Sequence, residues 1–211
     1  MPKANSQTAR TVIVLDFETT GLSPDQGERA IEIGAVKLVD GEVVDTFQQL
    51  MNPGKRIDSF IETYTGITNA MLKNAPSCAE VMHNFSDFID GFNLVAHNAS
   101  FDGRFLSAEL ARINIRPSYE FACSMLIARR IYQDAPNHKL GTLVSYKQLP
   151  NDGTFHRALA DSQMTAELWL AMLDDIEAGH AFNSLAFNVM QKLSRTSKHS
   201  VDSFLAQAAI K

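Results

Sequence analysis

The sequence predicts an α/β domain whose mixed sheet opens as three antiparallel strands, continues in strand-helix units, carries helices on both faces and is followed by a helical C-terminal tail. Three observations support this class. Residues 11–52 hold three β-patterned runs separated by short turns, residues 93–174 alternate short apolar runs with stretches of helical period, and residues 184–210 hold two further amphipathic stretches. With 211 residues, 45% apolar and 20% charged, the chain can bury one core of ordinary domain size.

Residues 1–10 are polar and read as a flexible tail. Residues 11–15, TVIVL, read as a buried strand that ends in Asp16 and Glu18. Residues 30–40, AIEIGAVKLVD, form a second strand, Asp40-Gly41 is a hairpin signal, and residues 42–52 carry the third strand back. Asn52-Pro53-Gly54 breaks the sheet, and a polar loop runs from Lys55 to Tyr64. Thr68 is placed to cap a short helix over 69–73, and a helix over 78–89 presents Val81, Phe85, Phe88 and Ile89 on one face until Gly91 stops it.

Residues 93–97 form a short strand, and 99–114 a helix with Phe101, Phe105, Leu106, Leu110 and Ile113 on its apolar stripe. A weak strand follows at 119–122, then helices at 123–132 and 139–148, a turn-rich loop at 149–155 and a long helix over 158–174. The pattern breaks near 177–180, which divides a domain at 11–177 from a helical extension at 178–211. The extension's stripes, Leu185, Val189, Met190 and Leu193, then Val201, Phe204, Leu205 and Ala208, lie on helices too short to stand alone. They must be buried against the domain, a second copy of the chain as a homodimer, or a partner protein.

No apolar run approaches a membrane span and the N-terminus lacks an apolar leader core, so the expected address is cytoplasmic, with no membrane partner. Cys78 and Cys123 sit in apolar patterns and read as reduced thiols, without the Cys/His spacing of a zinc site. The net charge of −5 argues against a protein that wraps or slides on duplex DNA, but leaves open a small, end-directed contact with a local cationic centre.

Side chains two apart on a strand share a face, so Asp16 and Glu18 project side by side. Two carboxylates so placed repel each other, and burial adds a desolvation cost that a divalent cation would relieve. A solvated turn is the plain alternative, because Thr19-Thr20-Gly21 follows at once. Two more acidic settings shift the balance: HNASFD at 97–102 puts Asp102 near a helix start, and HRALAD at 156–161 puts His156 in a loop five residues before Asp161. Hard oxygen ligands without a thiolate suit magnesium or manganese.

DFETTGL with Asp16 and Glu18, HNASFDGRFL with Asp102, HRALADSQMTAELW with His156 and Asp161, and TYTGIT at 63–68 together resemble the DEDDh (DnaQ-like) 3′–5′ exonucleases, the family of the bacterial proofreading epsilon subunit and of RNase T. The resemblance runs from residue 11 to 173. It implies a ribonuclease H-like fold and metal-dependent release of nucleoside 5′-monophosphates from single-stranded 3′ ends, DNA favoured, with RNA 3′-end trimming as the alternative. It also implies two divalent cations, Mg2+ or Mn2+, on Asp16, Glu18, Asp102 and Asp161, with His156 as general base.

Around the terminal nucleotide the resemblance sets Phe17 through its backbone, Thr19, Gly21, Leu22, Thr65 and Ile67, with Leu22 and Ile67 each readable as apolar wedge or as core. Thr65 stands where many relatives have histidine, which alters a substrate contact. His97 and Asn98 read as loop ties, Phe101 and Phe105 as core, and Glu32 falls outside the metal set. The chain has no room for a polymerase domain, so proofreading would need a separate polymerase subunit. A non-catalytic binding module of the same fold is disfavoured because all four carboxylates and the histidine are present.

Overall fold

The first strand, β1 (Val12–Thr19), is apolar on both faces through Leu15, so both must be covered there. The computed structural model describes residues 8–150, 153 and 156–210. Residues 1–7 of the expected tail and 151, 152, 154 and 155 of the expected loop therefore lie outside the described residues. β2 (Ala30–Val39) and β3 (Glu42–Leu50) extend β1 as an antiparallel meander; β4 (Leu94–Ala96) and β5 (Phe121–Cys123) add parallel strands on its other side, in the order β3-β2-β1-β4-β5. The β2–β3 turn uses positive φ at Asp40 (52°) and Gly41 (89°), which matches the strands' right-handed twist.

The helices are α1 (Ser59–Thr65), α2 (Asn69–Lys73), α3 (Cys78–Phe88), α4 (Ala99–Arg112), α5 (Ser124–Ile131), α6 (Leu140–Tyr146), α7 (Ala158–His180), α8 (Phe187–Arg195) and α9 (Val201–Ala209). Side-chain caps begin the first three: Asp58, Thr68 and Ser77 accept the N–H of Ile61, Met71 and Glu80. Alternation along the strands sorts the core. Ile13, Leu15, Phe17, Ile33 and Ala35 pack under α3 and α4 with Phe85, Phe105 and Leu106, while Val12, Val14, Val36 and Leu38 pack under α7 with Leu168, Trp169 and Met172. No helix is long and apolar enough to cross a membrane, among the described residues.

Four boundaries differ from the sequence reading. β1 does not stop before its acids, because pairing with β2 continues through Asp16 opposite Gly34 and Glu18 opposite Glu32. The polar loop expected over 55–64 contains α1, started by the Asp58 cap. α7 runs on to His180, since Ile176 is buried and keeps the apolar stripe going, so the expected boundary at 177 falls inside a helix. Thr8 to Arg10 are not frayed: Thr8 bridges to Ala186, the Ala9 N–H donates to Leu185 O at 2.7 Å, and Arg10 pairs with Asp174 and Glu177 at 2.5 and 2.6 Å.

The domain itself covers most of the extension's two stripes. Leu185, Phe187, Met190, Leu193, Val201 and Leu205 enter the same cluster as Trp169 and Leu173. Buried Trp169 donates its indole N–H to the Ala9 carbonyl at 2.7 Å, so the N-terminal segment, α7 and the extension meet at one side chain.

Where α7 begins, the sheet must give way. A β-carbon built on Gly34 would stand 2.1 Å from the Leu159 nitrogen and 2.2 Å from the Ala158 carbonyl carbon, so only glycine lets the backbone of α7 reach the strand. Ser162 locks the contact by donating to Gly34 O at 2.9 Å. Gly34→Ala is expected to cost about 3 kcal/mol in denaturant unfolding, at the upper end of overpacking effects because rigid backbone is struck. Gly103→Ala, inside α4 and 3.7 Å from only the Phe121 ring, should be neutral or stabilise by up to about 1 kcal/mol in the same experiment.

Candidate active site

The α7-facing side of β1 changes character along its length, from Val12 and Val14 to Asp16 and Glu18. The close seat of α7 on Gly34 brings Asp161, in the first turn of that helix, over the same end of the strand. One carboxylate oxygen from each of Asp16, Glu18 and Asp161 lies within 4.8 Å of the other two. Asp102 reaches the group from the other side, out of the first turn of α4 and almost fully buried. β4 pairs with β1 only through Ile13 and Val14, and past that point Asp102 accepts the Phe17 N–H at 3.2 Å.

These four carboxylates are crowded and poorly hydrated. Burial, then the charges of Asp102, Glu18, Asp161 and Glu32, holds the Asp16 carboxyl well above its usual range. Burial, then Asp161, Glu32 and Asp102, pushes Glu18 up to about 8, against the pull of Arg157. Burial also raises Asp102 and Asp161, and backbone N–H groups of Phe17 and His156 oppose it. Among the described residues, none of the four forms an ion pair.

Two other buried carboxylates nearby show what a structural acid looks like. Glu32 binds Arg157 through two contacts of 2.8 and 3.1 Å, accepts the Ala158 N–H at 3.1 Å and the Gln48 amide at 3.0 Å, and so caps α7. Glu109 is held by Arg29 at 2.8 and 2.9 Å and by Arg112 at 3.1 Å. Glu32 thus has a partner on each carboxylate oxygen.

A cleft of about 520 Å³ opens on Asp16, Glu18 and Asp161. His156 stands at its wall with φ of 62°, its backbone N–H given to Asp161 at 2.9 Å and its ring 3.9 Å from that of Tyr64. Thr19, Gly21, Leu22 and Thr65 also line it, and Phe17 borders it from β1. Leu22 is 80% exposed, which removes the core reading, and Arg104 donates to its carbonyl at 3.4 Å. Thr19 donates to Gly21 O at 2.7 Å and so shapes the turn after β1.

Thr65 is buried, its hydroxyl donating to Ile61 O at 2.8 Å and accepting the Ile67 N–H at 3.1 Å. Ile67 does not reach the cleft: it is fully buried with Ile31, Ile57 and Leu72, so of its two readings the core one holds and the wedge fails for lack of exposed surface. His97 ties Ser124 to the His138 carbonyl, both at 2.9 Å, and burial lowers it to about 4. Phe101, read as core, also contributes to the cleft wall.

Two exposed aromatics of the cleft escaped the sequence reading, Phe60 and Tyr64. They sit one turn apart on α1 with rings 5.7 Å apart, and the signal that could have found them is Asp58 as a helix cap.

Comparison with known proteins agrees with this geometry. The RNase T exonuclease family model matches residues 13–169, which take in all four carboxylates and His156. The chain is 39% identical over 168 residues to the PolC-type DNA polymerase III of Caldanaerobacter subterraneus subsp. tengcongensis, covering 78% of this chain and 12% of that protein. It is 32% identical over 188 residues to the 3′–5′ exonuclease DinG of Bacillus subtilis, covering 89% of this chain and 19% of that one. The chain thus spans less than a fifth of the length of these relatives.

Among solved structures, exonuclease X in complex with 5′ overhanging duplex DNA superposes with a TM-score of 0.67 at 25% identity, over 87% of this chain and 99% of that one. The nuclease domain of 3′hExo, a DEDDh family member bound to rAMP, shares the fold with a TM-score of 0.68 at 24% identity, over 82% of this chain and 95% of that one. The sheet order, the flanking helices and the family match over most of the length lead to one conclusion: this chain belongs to the DEDDh (DnaQ-like) family of 3′–5′ exonucleases and has its ribonuclease H-like fold.

Proposed function

We propose that the chain hydrolyses phosphodiester bonds at single-stranded nucleic-acid 3′ ends, DNA by preference, releasing nucleoside 5′-monophosphates with the help of two divalent cations. The observation that carries this reading is the set of four buried or half-buried carboxylates that, among the described residues, have no ion-pair partner, beside two that have arginines. Asp16, Glu18, Asp102 and Asp161 offer hard oxygens only, which fits Mg2+ or Mn2+. When bound, such ions lower the pKa of a water and offset charge on the phosphate and the leaving oxygen.

The protein's own groups divide the remaining tasks. His156 takes the proton of the attacking water, standing on the open side of the cleft while Asp161 stays fixed on α7. Phe17, whose N–H orients Asp102, turns its backbone toward the 3′-terminal sugar. Leu22 projects an apolar lip against a base, Thr19 and Gly21 hold the turn that carries it, and Thr65 braces the opposite wall. Relatives named as polymerase III and as DinG support DNA over RNA, and association with a DNA polymerase for proofreading. The exonuclease unit, expected at 11–177, would then run on to the end of α7 at His180, with α8 and α9 as its cover.

Digestion of 5′-labelled single-stranded oligonucleotides with Mg2+, Mn2+ or chelator tests the reading. Asp102→Asn or Asp16→Asn should remove nearly all hydrolysis while melting at or above the wild-type temperature in chelator, because a repelling charge is gone. A folded, metal-saturated Asp102→Asn protein with near-wild-type turnover would refute the assignment. His156→Ala should slow hydrolysis by about 10² to 10⁴, with Mn2+ binding by calorimetry unchanged. Loss of metal binding as severe as in Asp16→Asn would make His156 a ligand instead.

The raised carboxyls also predict a pH effect. Folded Glu18 holds its proton up to about 8, well above its ordinary 4.5, so the native state binds more protons than the unfolded one in between. Stability is then fully present below 4.5 and falls as pH rises toward 8. Melting curves in chelator should show this fall, and added Mg2+ should flatten it by binding the native state.

A further inference from the structure

We infer that Tyr64 is a positioning residue for His156, its ring being the surface that holds the imidazole in register with the carboxylate cluster. The inference rests on the reading given above, in which His156 removes the proton of the attacking water. The backbone of His156 is fixed: its N–H donates to Asp161 at 2.9 Å, and its φ of 62° lies in the left-handed region that a side chain disfavours. The ring is not fixed in this way. Among the described residues the imidazole makes no hydrogen bond, and the charge of Asp161 acts on it without one.

What the imidazole does touch is the Tyr64 ring, with centroids 3.9 Å apart and planes tilted by 32°. An aromatic contact of this kind biases a rotamer equilibrium by up to about tenfold. Tyr64 is well placed to impose that bias. It rides on α1, a helix capped by Asp58 and closed by Gly66 in a left-handed turn, and Phe60 stacks on it one turn earlier with planes only 14° apart. His156 comes from the other end of the sequence, so the imidazole is set by two elements that approach the cleft independently.

Tyr64 is 49% exposed at the cleft, and its ring could instead serve a substrate base. The two roles separate kinetically. A group that acts through His156 affects kcat and loses its effect when His156 is gone, whereas a group that holds a base affects KM and keeps its effect.

The test is steady-state hydrolysis of a 5′-labelled single-stranded DNA oligonucleotide in Mg2+ by the full chain and by Tyr64→Ala, Tyr64→Leu, Tyr64→Phe, His156→Ala and the Tyr64→Ala/His156→Ala double variant. We expect Tyr64→Ala and Tyr64→Leu to lower kcat about tenfold with KM changed less than about twofold, Tyr64→Phe to restore it, and Tyr64→Ala to cost less than about twofold in the His156→Ala background. In NMR spectra without substrate, the His156 ring protons should show an aromatic ring-current shift in the wild type and in Tyr64→Phe, lost in Tyr64→Ala. This readout does not need activity. Equal losses in both backgrounds, a loss confined to KM, or an unmoved His156 signal overturns the inference and leaves the exonuclease reading standing. A fully active His156→Ala protein overturns the inference together with the general-base role of His156, and leaves hydrolysis by the carboxylate site standing.

Discussion

Like-charge repulsion in a place water barely reaches is the constraint on which the rest of this molecule depends. Six carboxylates lie buried or half-buried around one end of the sheet, and the chain treats them in two ways. Glu32 and Glu109 are surrounded by arginine and backbone donors, and each fastens a helix or strand in place. Asp16, Glu18, Asp102 and Asp161 are brought together with no lysine or arginine partner among the described residues, on one strand and two helix starts. The native state tolerates that because the raised carboxyls hold protons and because the core beneath and the two neutralised acids beside them keep the backbone in place.

That rigidity is assembled from small contacts of one kind, backbone brought close to backbone. Gly34 lets α7 lie directly on β2, Glu32 caps the helix at the same spot, and Asp161 follows three residues after the Ala158 N–H that Glu32 accepts. On the other side, β4 is short enough to leave the Phe17 N–H for Asp102. The site is thus defined by where pairing ends: one strand that stops early and one helix that starts against a glycine.

Much of this was legible in the sequence because it is written in short-range patterns. Strand alternation placed Asp16 and Glu18 on one face, Asp40-Gly41 announced the hairpin, and the motifs at 97–102 and 156–161 announced the remaining acids. What could not be read depended on distant partners. Glu109 looks like an ordinary helix-face glutamate until Arg29, eighty residues earlier, is brought beside it. α1 was hidden because two of its three apolar positions, Phe60 and Tyr64, are exposed at the cleft and only Ile61 packs on a core cluster, so the stripe that marks a buried helix is missing. Ile67 misled in the opposite direction: a motif position adjacent to the site, yet turned wholly into a small cluster of its own.

The meeting of Ala9, α7 and the extension at Trp169 gives the molecule an optical property of its own. Trp169 is the only tryptophan of the chain, fully enclosed and hydrogen-bonded through its indole nitrogen to a carbonyl of the N-terminal segment. Its emission therefore belongs to the joint between the two ends of the chain and not to the cleft. A red shift would report the lifting of α8 or of residues 8–10 while the carboxylate end of the sheet stays silent. Undocking of the cover and events at the catalytic end can thus be followed separately in one unlabelled protein.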